Sequence, residues 1–457
     1  SQMQDARVRP DDVTYLSVLK ACGIVGSLKV GEDIDTEVRK KGALQNNVVL
    51  GTALVDMYAK CGMLERAQEV FEELLHRNTV TWNSLISGYV KQGQAHDALN
   101  CFELLEREGM EPDAITFICI LNACGSIGSV DKGTRVHNAV ISMGFLEDLV
   151  LGSALMDMYV KCSALEKAHK VLKELPVREV VSWNALIAGY VKQGQCHKAL
   201  NCFERMQSEG LCPDVVTFVS ILKACGTRGT IDNGKQIHRK ILGRGLLGKG
   251  TMLGNALIDM YAKCGIFSEA KKVLKELSDR DVVSWNALIA GYAQQGQGNE
   301  VVNCVKLMQT EGLCPNTITF LCLLKVLGRT QAIDIGREVH NDIVDRGLLD
   351  KDIRVGNSLV YMYGKCGMLA KAQQVLEELP FRDVVTWNAL IGGYVEYGKA
   401  HEALNCFEGM QKEGLSPDVV TFICILKACG TMKDKEMGEK IHEEIMSRGL
   451  FENDIML

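Results

Sequence analysis

The chain has 457 residues, 47% of them hydrophobic and only 6% aromatic, with a formal net charge of −6. That composition suits a continuous helical core built from Leu, Ile, Val, Ala and Met. It contains no charge-free apolar run of about 18 residues, so no membrane span is expected, and neither a signal peptide nor a transit sequence is read at Ser1-Gln2-Met3. The acidity excludes a uniformly basic nucleic-acid surface but not a local one.

In chain order the elements repeat. Trp82, Trp183, Trp285 and Trp387 are spaced by 101, 102 and 102 residues, and Pro10, Pro112, Pro213, Pro315 and Pro417 follow the same step. A step of that length exceeds one supersecondary unit and divides into three. Residues 1–11 read as the tail of one repeat. Repeats of 36, 31 and 35 residues follow at 12–47, 48–78 and 79–113. The rotation continues at 114–148 (one residue short of its class), 149–179, 180–214, 215–250, 251–281, 282–316, 317–352, 353–383, 384–418 and 419–454. Residues 455–457 begin another. No polar capping repeat closes either end, so a piece of a longer array is expected.

Each repeat follows one plan. In 180–214, Leu186, Ile187, Tyr190 and Val191 recur at helical spacing, and Gly194 makes a turn. A second helix then carries Ala199, Leu200, Phe203 and Met206 on one face, and Gly210 and Pro213-Asp214 end it. Neither helix can bury its apolar face alone, so the repeats are expected to stack into a superhelix.

The cysteines also keep register: Cys61, Cys162, Cys264 and Cys366; Cys101, Cys202, Cys304 and Cys406; Cys22, Cys124, Cys225 and Cys429. No C-x-x-C occurs, so reduced structural thiols are expected rather than disulfides, metal or any cofactor. His137, His238, His340 and His442 lie about a triplet apart, too far to share a metal. The only H-x-E match is His442-Glu443-Glu444, and P-loop, H-E-x-x-H and G-x-S-x-G motifs are missing. The chain is therefore read as a binder, not an enzyme, with no small-molecule substrate, and any catalytic domain is expected in a C-terminal part beyond it.

Three strings mark the repeat types: VVTWNALIGGYV with ALNCFEGMQKEGLSPD; VVTFVSILKACG with GKQIH; and GNALIDMYAKCG. With lengths of 35, 35–36 and 31 in strict rotation, they resemble the pentatricopeptide repeat (PPR) family in its P-L-S form, over nearly the whole chain. The tetratricopeptide repeat differs in its uniform period of 34. The resemblance implies an all-α, right-handed α-solenoid superhelix of helix-turn-helix repeats in P-L-S triplets. It further implies binding of single-stranded RNA at about one nucleotide per repeat, in a plant mitochondrion or chloroplast, as the site-recognition part of a C-to-U editing factor. RNA stabilisation, splicing, or a scaffold for protein partners are the alternatives.

In the family the fifth and last residues of a repeat read a base, and the second packs on its face. The P repeats then supply Asn83 with Asp113, Asn184 with Asp214, Asn286 with Asn316, and Asn388 with Asp418. The S repeats supply Thr52 with Asn78, Ser153 with Glu179, Asn255 with Asp281, and Asn357 with Asp383. The fifth residues of the L repeats, Leu16, Ile118, Val219, Leu321 and Ile423, cannot hydrogen-bond a base edge, and these repeats are expected to be spacers or docking points for editing cofactor proteins. The family correlation gives 5′-nAUnRUnUCnUUn-3′, the purine at Ser153 and Glu179 departing from the pattern. Val49, Val80, Val150, Val181, Met252, Val283 and Val385 are candidates for base stacking or for plain core, and Arg354 holds the same place. Lys60, Lys91, Lys161, Lys192, Lys263 and Lys365 occupy the thirteenth position and could contact phosphates or simply favour a helix C-terminus. Gln294 and Glu396 break that line. The tryptophans, one residue before the readers, are expected in the core.

Overall fold

Helix starts are set by capping. Asp11, Asn47, Asn78, Asp113, Asp148, Asp281, Asn316, Asp352, Asp383 and Asp418 each accept a hydrogen bond from a backbone N–H in the first turn of the helix that follows. Six of them (Asn78, Asp113, Asp281, Asn316, Asp383 and Asp418) complete a capping box with a Thr or Ser three residues on. In the P repeats the turn after the first helix needs a left-handed residue, which Gly93, Gly194, Gly296 and Gly398 supply at φ 70–76°.

The computed structural model describes residues 10–42, 44, 47–248 and 250–449. The remainders of the repeats expected at 1–11 and 455–457 lie outside these. Among the described residues there are 26 α-helices and one short 3₁₀ turn, Phe145–Glu147, and no strand. A first helix begins at Asp12, Val48, Thr79, Ala114, Leu149, Val180, Val215, Thr251, Val282, Thr317, Ile353, Val384 and Val419, and each is followed by a second helix. The short repeats owe their length to their second helices. Leu64–Glu73, Leu165–Glu174, Phe267–Glu276 and Leu369–Glu378 have 10 residues, where Ala95–Arg107 and Cys196–Ser208 have 13.

The chain divides into two compact units, Ser1–Ala224 and Cys225–Leu457. Each is an all-α solenoid. In the first unit, first helices stack in chain order from Asp12–Val25 to Val180–Lys192. In the second they stack from Thr251–Lys263 to Val419–Met432. Second helices such as Ala95–Arg107 pack on their own first helix and on that of the next repeat. First helices inside each stack are thus sandwiched between neighbours, which buries Leu54, Tyr58, Leu85, Ile86, Leu155, Leu359 and Ile391. Trp82, Trp183, Trp285 and Trp387 are buried as well.

All eighteen cysteines are free thiols. Cys61, Cys162, Cys264 and Cys366 lie against backbone carbonyl oxygens of Cys22, Cys124, Cys225 and Leu327 in the preceding repeat. Burial pushes the Cys101 and Cys406 thiols up to about 12, with nearby Asp97 and Glu402 adding to the rise. His137, His238 and His340 hydrogen-bond through Nδ1 to Tyr159, Tyr261 and Tyr363 of the next repeat, at 3.0, 2.9 and 2.9 Å. Among the described residues, no His, Cys, Asp and Glu cluster could hold a metal ion. Nor is any helix there long and apolar enough to cross a membrane.

Candidate nucleic-acid interface

The fifth residue of a repeat sits in the second turn of its first helix. The last residue is the N-cap of the next first helix. Stacking of first helices brings the two together, although 26 or 30 residues separate them. In the P repeats the Asn Nδ2 donates to the partner's side-chain oxygen: Asn83 to Asp113 at 2.9 Å, Asn184 to Asp214 at 3.0 Å, Asn286 to Asn316 at 3.0 Å and Asn388 to Asp418 at 2.9 Å. In the S repeats Asn255 reaches Asp281 at 3.3 Å and Asn357 reaches Asp383 at 3.1 Å. The other two pairs differ. Thr52 bonds the Thr81 hydroxyl at 2.7 Å, while Asn78 serves as cap. Glu179 makes no side-chain cap bond, its extra methylene being unsuited to that turn, and no hydrogen bond joins it to Ser153.

These pairs are pre-organised. Asn83, Asn184 and Asn286 are buried. Burial pulls the Asp214 carboxyl upward, but hydrogen bonds from the Thr217 N–H, the Thr217 hydroxyl and the Asn184 amide outweigh it and hold the group below the usual carboxylate range. Asp281 is lowered against the same burial by Ser284, Thr251 and Asn255, and Asp418 by Thr421 and Asn388. Asp214, Asp281 and Asp418 are thus ionised acceptors, each carrying a fixed amide beside it. Once the pair bond is formed, the amide's second N–H is still available to a base edge.

The second residues are on the surface. Val49, Val80, Val150, Val181, Met252, Val283 and Val385 are 56–65% exposed, so packing in the core does not account for them. Arg354 is held by Asp352 through an ion pair of 2.7 Å. The L repeats expose apolar residues at the same place: Val13, Ile115, Val216, Ile318 and Val420. The apolar ladder therefore runs through every type of repeat. Near its end, a cavity of about 480 Å³ is lined by Asn388, Val420, Ile423, Lys365 and Lys427.

The lysine line is partly neutralised. Lys60, Lys161 and Lys263 pair with Asp56, Asp157 and Asp259 one helical turn back, at 2.5, 2.7 and 2.7 Å, and Lys365 pairs with Glu396 at 2.6 Å. Lys91 and Lys192 form no ion pair. Exposed pairs of this kind contribute about 0–1 kcal/mol, so a phosphate can displace the carboxylate.

The family model described as "PPR repeat family" matches residues 77–126, 178–227, 280–329 and 382–431. A second, described as "PPR repeat", matches 52–79, 153–180, 255–282 and 357–384. The chain belongs to the pentatricopeptide repeat family. A mitochondrial PPR protein of Arabidopsis thaliana is 35% identical over 97% of this chain and 43% of its own length. A chloroplastic one is 34% identical over 95% of the chain and 54% of its own length. The chain thus spans about half the length of these relatives. Among solved structures, the PPR protein PPR10 from maize superposes with a TM-score of 0.55 at 21% identity, over 98% of this chain and 75% of PPR10. PPR10 in complex with an 18-nucleotide psaJ RNA element gives 0.52 at 18% identity, over 97% and 75%.

Two features of the PPR junction were missed at the level of sequence. The third-residue hydroxyls that bond the fifth-residue side chains carry the signal of an N-cap Asp or Asn followed three residues later by Thr or Ser. The exposed second residues of the L repeats carry the same apolar signal as those of the P and S repeats.

Proposed function

We propose that this chain binds single-stranded RNA with about one nucleotide per repeat, and that it is the site-recognition part of an organellar factor for C-to-U RNA editing. Each repeat runs from the start of one first helix to the N-cap of the next. Base identity is set by the fifth and last residues of the P and S repeats, while the L repeats space them. The observation that carries this reading is the recurrence of one hydrogen-bonded Asn–Asp or Asn–Asn pair at six repeat junctions, five of them in repeats with an exposed apolar second residue and one in the repeat that has Arg354 there. Such pairs offer donors and acceptors to base edges, and the apolar residues offer surface to base faces. The RNA complex of maize PPR10 and the organellar names of the Arabidopsis relatives support the ligand class and the compartment.

The test exchanges one code. Asn184→Thr with Asp214→Asn is expected to move preference at the sixth nucleotide of 5′-nAUnRUnUCnUUn-3′ from U to A in gel-shift competition. An unchanged preference would refute the assignment.

A further inference from the structure

Twelve repeat junctions show a match between two positions. Where the fifth residue of a repeat is polar (Thr52, Asn83, Ser153, Asn184, Asn255, Asn286, Asn357, Asn388), the third residue of the next repeat is a hydroxyl: Thr81, Thr116, Ser182, Thr217, Ser284, Thr319, Thr386, Thr421. Where the fifth residue is aliphatic (Leu16, Ile118, Val219, Leu321), the third residue of the next repeat is Leu50, Leu151, Leu253 or Val355. Helix capping does not explain the match. Asn47, Asp148 and Asp352 cap their helices with no hydroxyl at that place.

The structure shows the coupling directly. The hydroxyls of Thr116, Thr217, Ser284, Thr319 and Thr421 donate to the amide oxygens of Asn83, Asn184, Asn255, Asn286 and Asn388 at 2.6–2.7 Å, and Thr386 does so to Asn357. A hydroxyl has one proton. At the Asn184 junction it is shared between the amide oxygen, at 2.6 Å, and Asp214 Oδ1, at 2.9 Å. The Asp214 N–H donates to the same hydroxyl oxygen at 3.1 Å. With its oxygen on the hydroxyl, the Asn184 amide must turn its nitrogen to Asp214, and a flipped amide would set two acceptors about 3 Å apart. Thr217 is fully buried, so water cannot replace its hydroxyl.

Resting on the base-reading role proposed for Asn184 and its equivalents, we propose that the third-residue hydroxyl of the following repeat is a positioning residue for recognition. It locks the amide plane, so a base is discriminated by three side chains drawn from two repeats. Ser153 and Ser182, which form no such bond, make the 149–179 repeat the loosest of the eight readers.

The experiment uses the full chain and a 13-nucleotide RNA, 5′-AAUAAUAUCAUUA-3′, with U or C at the sixth nucleotide. Thr217→Val is expected to cut discrimination between the two about fivefold, the loss of roughly one hydrogen bond. Thr217→Ser is expected to keep it, and in an Asn184→Ala background Thr217→Val should change nothing further. Ser284→Ala, read at the eighth nucleotide, gives the same test should Thr217→Val unfold the chain. Full discrimination in Thr217→Val, where Asn184→Ala abolishes it, would overturn the positioning role and leave the reading by Asn184 intact. No effect from Asn184→Ala would overturn both.

Discussion

At the scale of the residue, the last side chain of a repeat does two jobs. Asp214 caps the Val215–Arg228 helix through the Thr217 N–H at 2.8 Å and holds the Asn184 amide at 3.0 Å. The identities of such pairs were legible in the sequence once the repeat register was known. Their hydrogen bonds were not, because they join residues brought together only by stacking. The folded-state pKa values of Asp214, Asp281 and Asp418 are lowered, so their stabilisation is complete above the unfolded carboxylate range and is lost as pH falls through the folded value. An acid titration followed by circular dichroism is expected to show stability falling below about pH 4, with Asp214→Ala weakening the slope. The exposed ladder predicts a different signature. Val181→Asp, at a side chain 65% exposed, should leave the melting temperature almost unchanged yet weaken RNA binding several-fold, as checked by thermal melts alongside gel shifts.

At the scale of the element, helix packing sets the spacing between the proposed readers. A Cβ on Gly291 would lie 2.4 Å from Ala262 Cβ and 3.2 Å from its backbone, so the two first helices approach as closely as glycine permits. Gly291→Ala is expected to cost about 1–3 kcal/mol of stability in denaturant melts, as overpacking does, and to weaken RNA binding by shifting Asn286 against its neighbours. The helix pattern announced where each element lies, but not which glycines mark close approach and which merely turn the chain. The histidines show the same limit. Their spacing marked them as structural, while their tyrosine partners emerge only from packing. Burial lowers the pKa values of His238 and His340 below the usual imidazole value, the surrounding carboxylates and lysines acting less strongly, and His238 Nε2 has no hydrogen-bond partner. Neutral imidazole is thus the folded form. Its contribution is complete above about pH 6.5 and is lost as pH falls through the lowered folded value.

At the scale of the whole molecule, a net charge of −6 leaves phosphate contacts to a local cationic line. Lys91 and Lys192 are the members without a carboxylate partner. Each phosphate contact contributes about −0.7 to the slope of log affinity against log salt for a single strand, so Lys91→Gln with Lys192→Gln should make that slope shallower by about 1.4. Tryptophan and proline mark the step of 101 or 102 residues in the sequence, and the strings within it suggest repeats of 31, 35 and 36 residues. The division of labour among the repeats depends on chemistry that periodicity alone does not carry. Selection from a random RNA pool on the full chain tests that division most directly. The predicted outcome is enrichment of 5′-nAUnRUnUCnUUn-3′, with an uninformative position every third nucleotide where an L repeat sits. Enrichment of a motif in another register, of thirteen equally specified positions, or of no motif at all would contradict it.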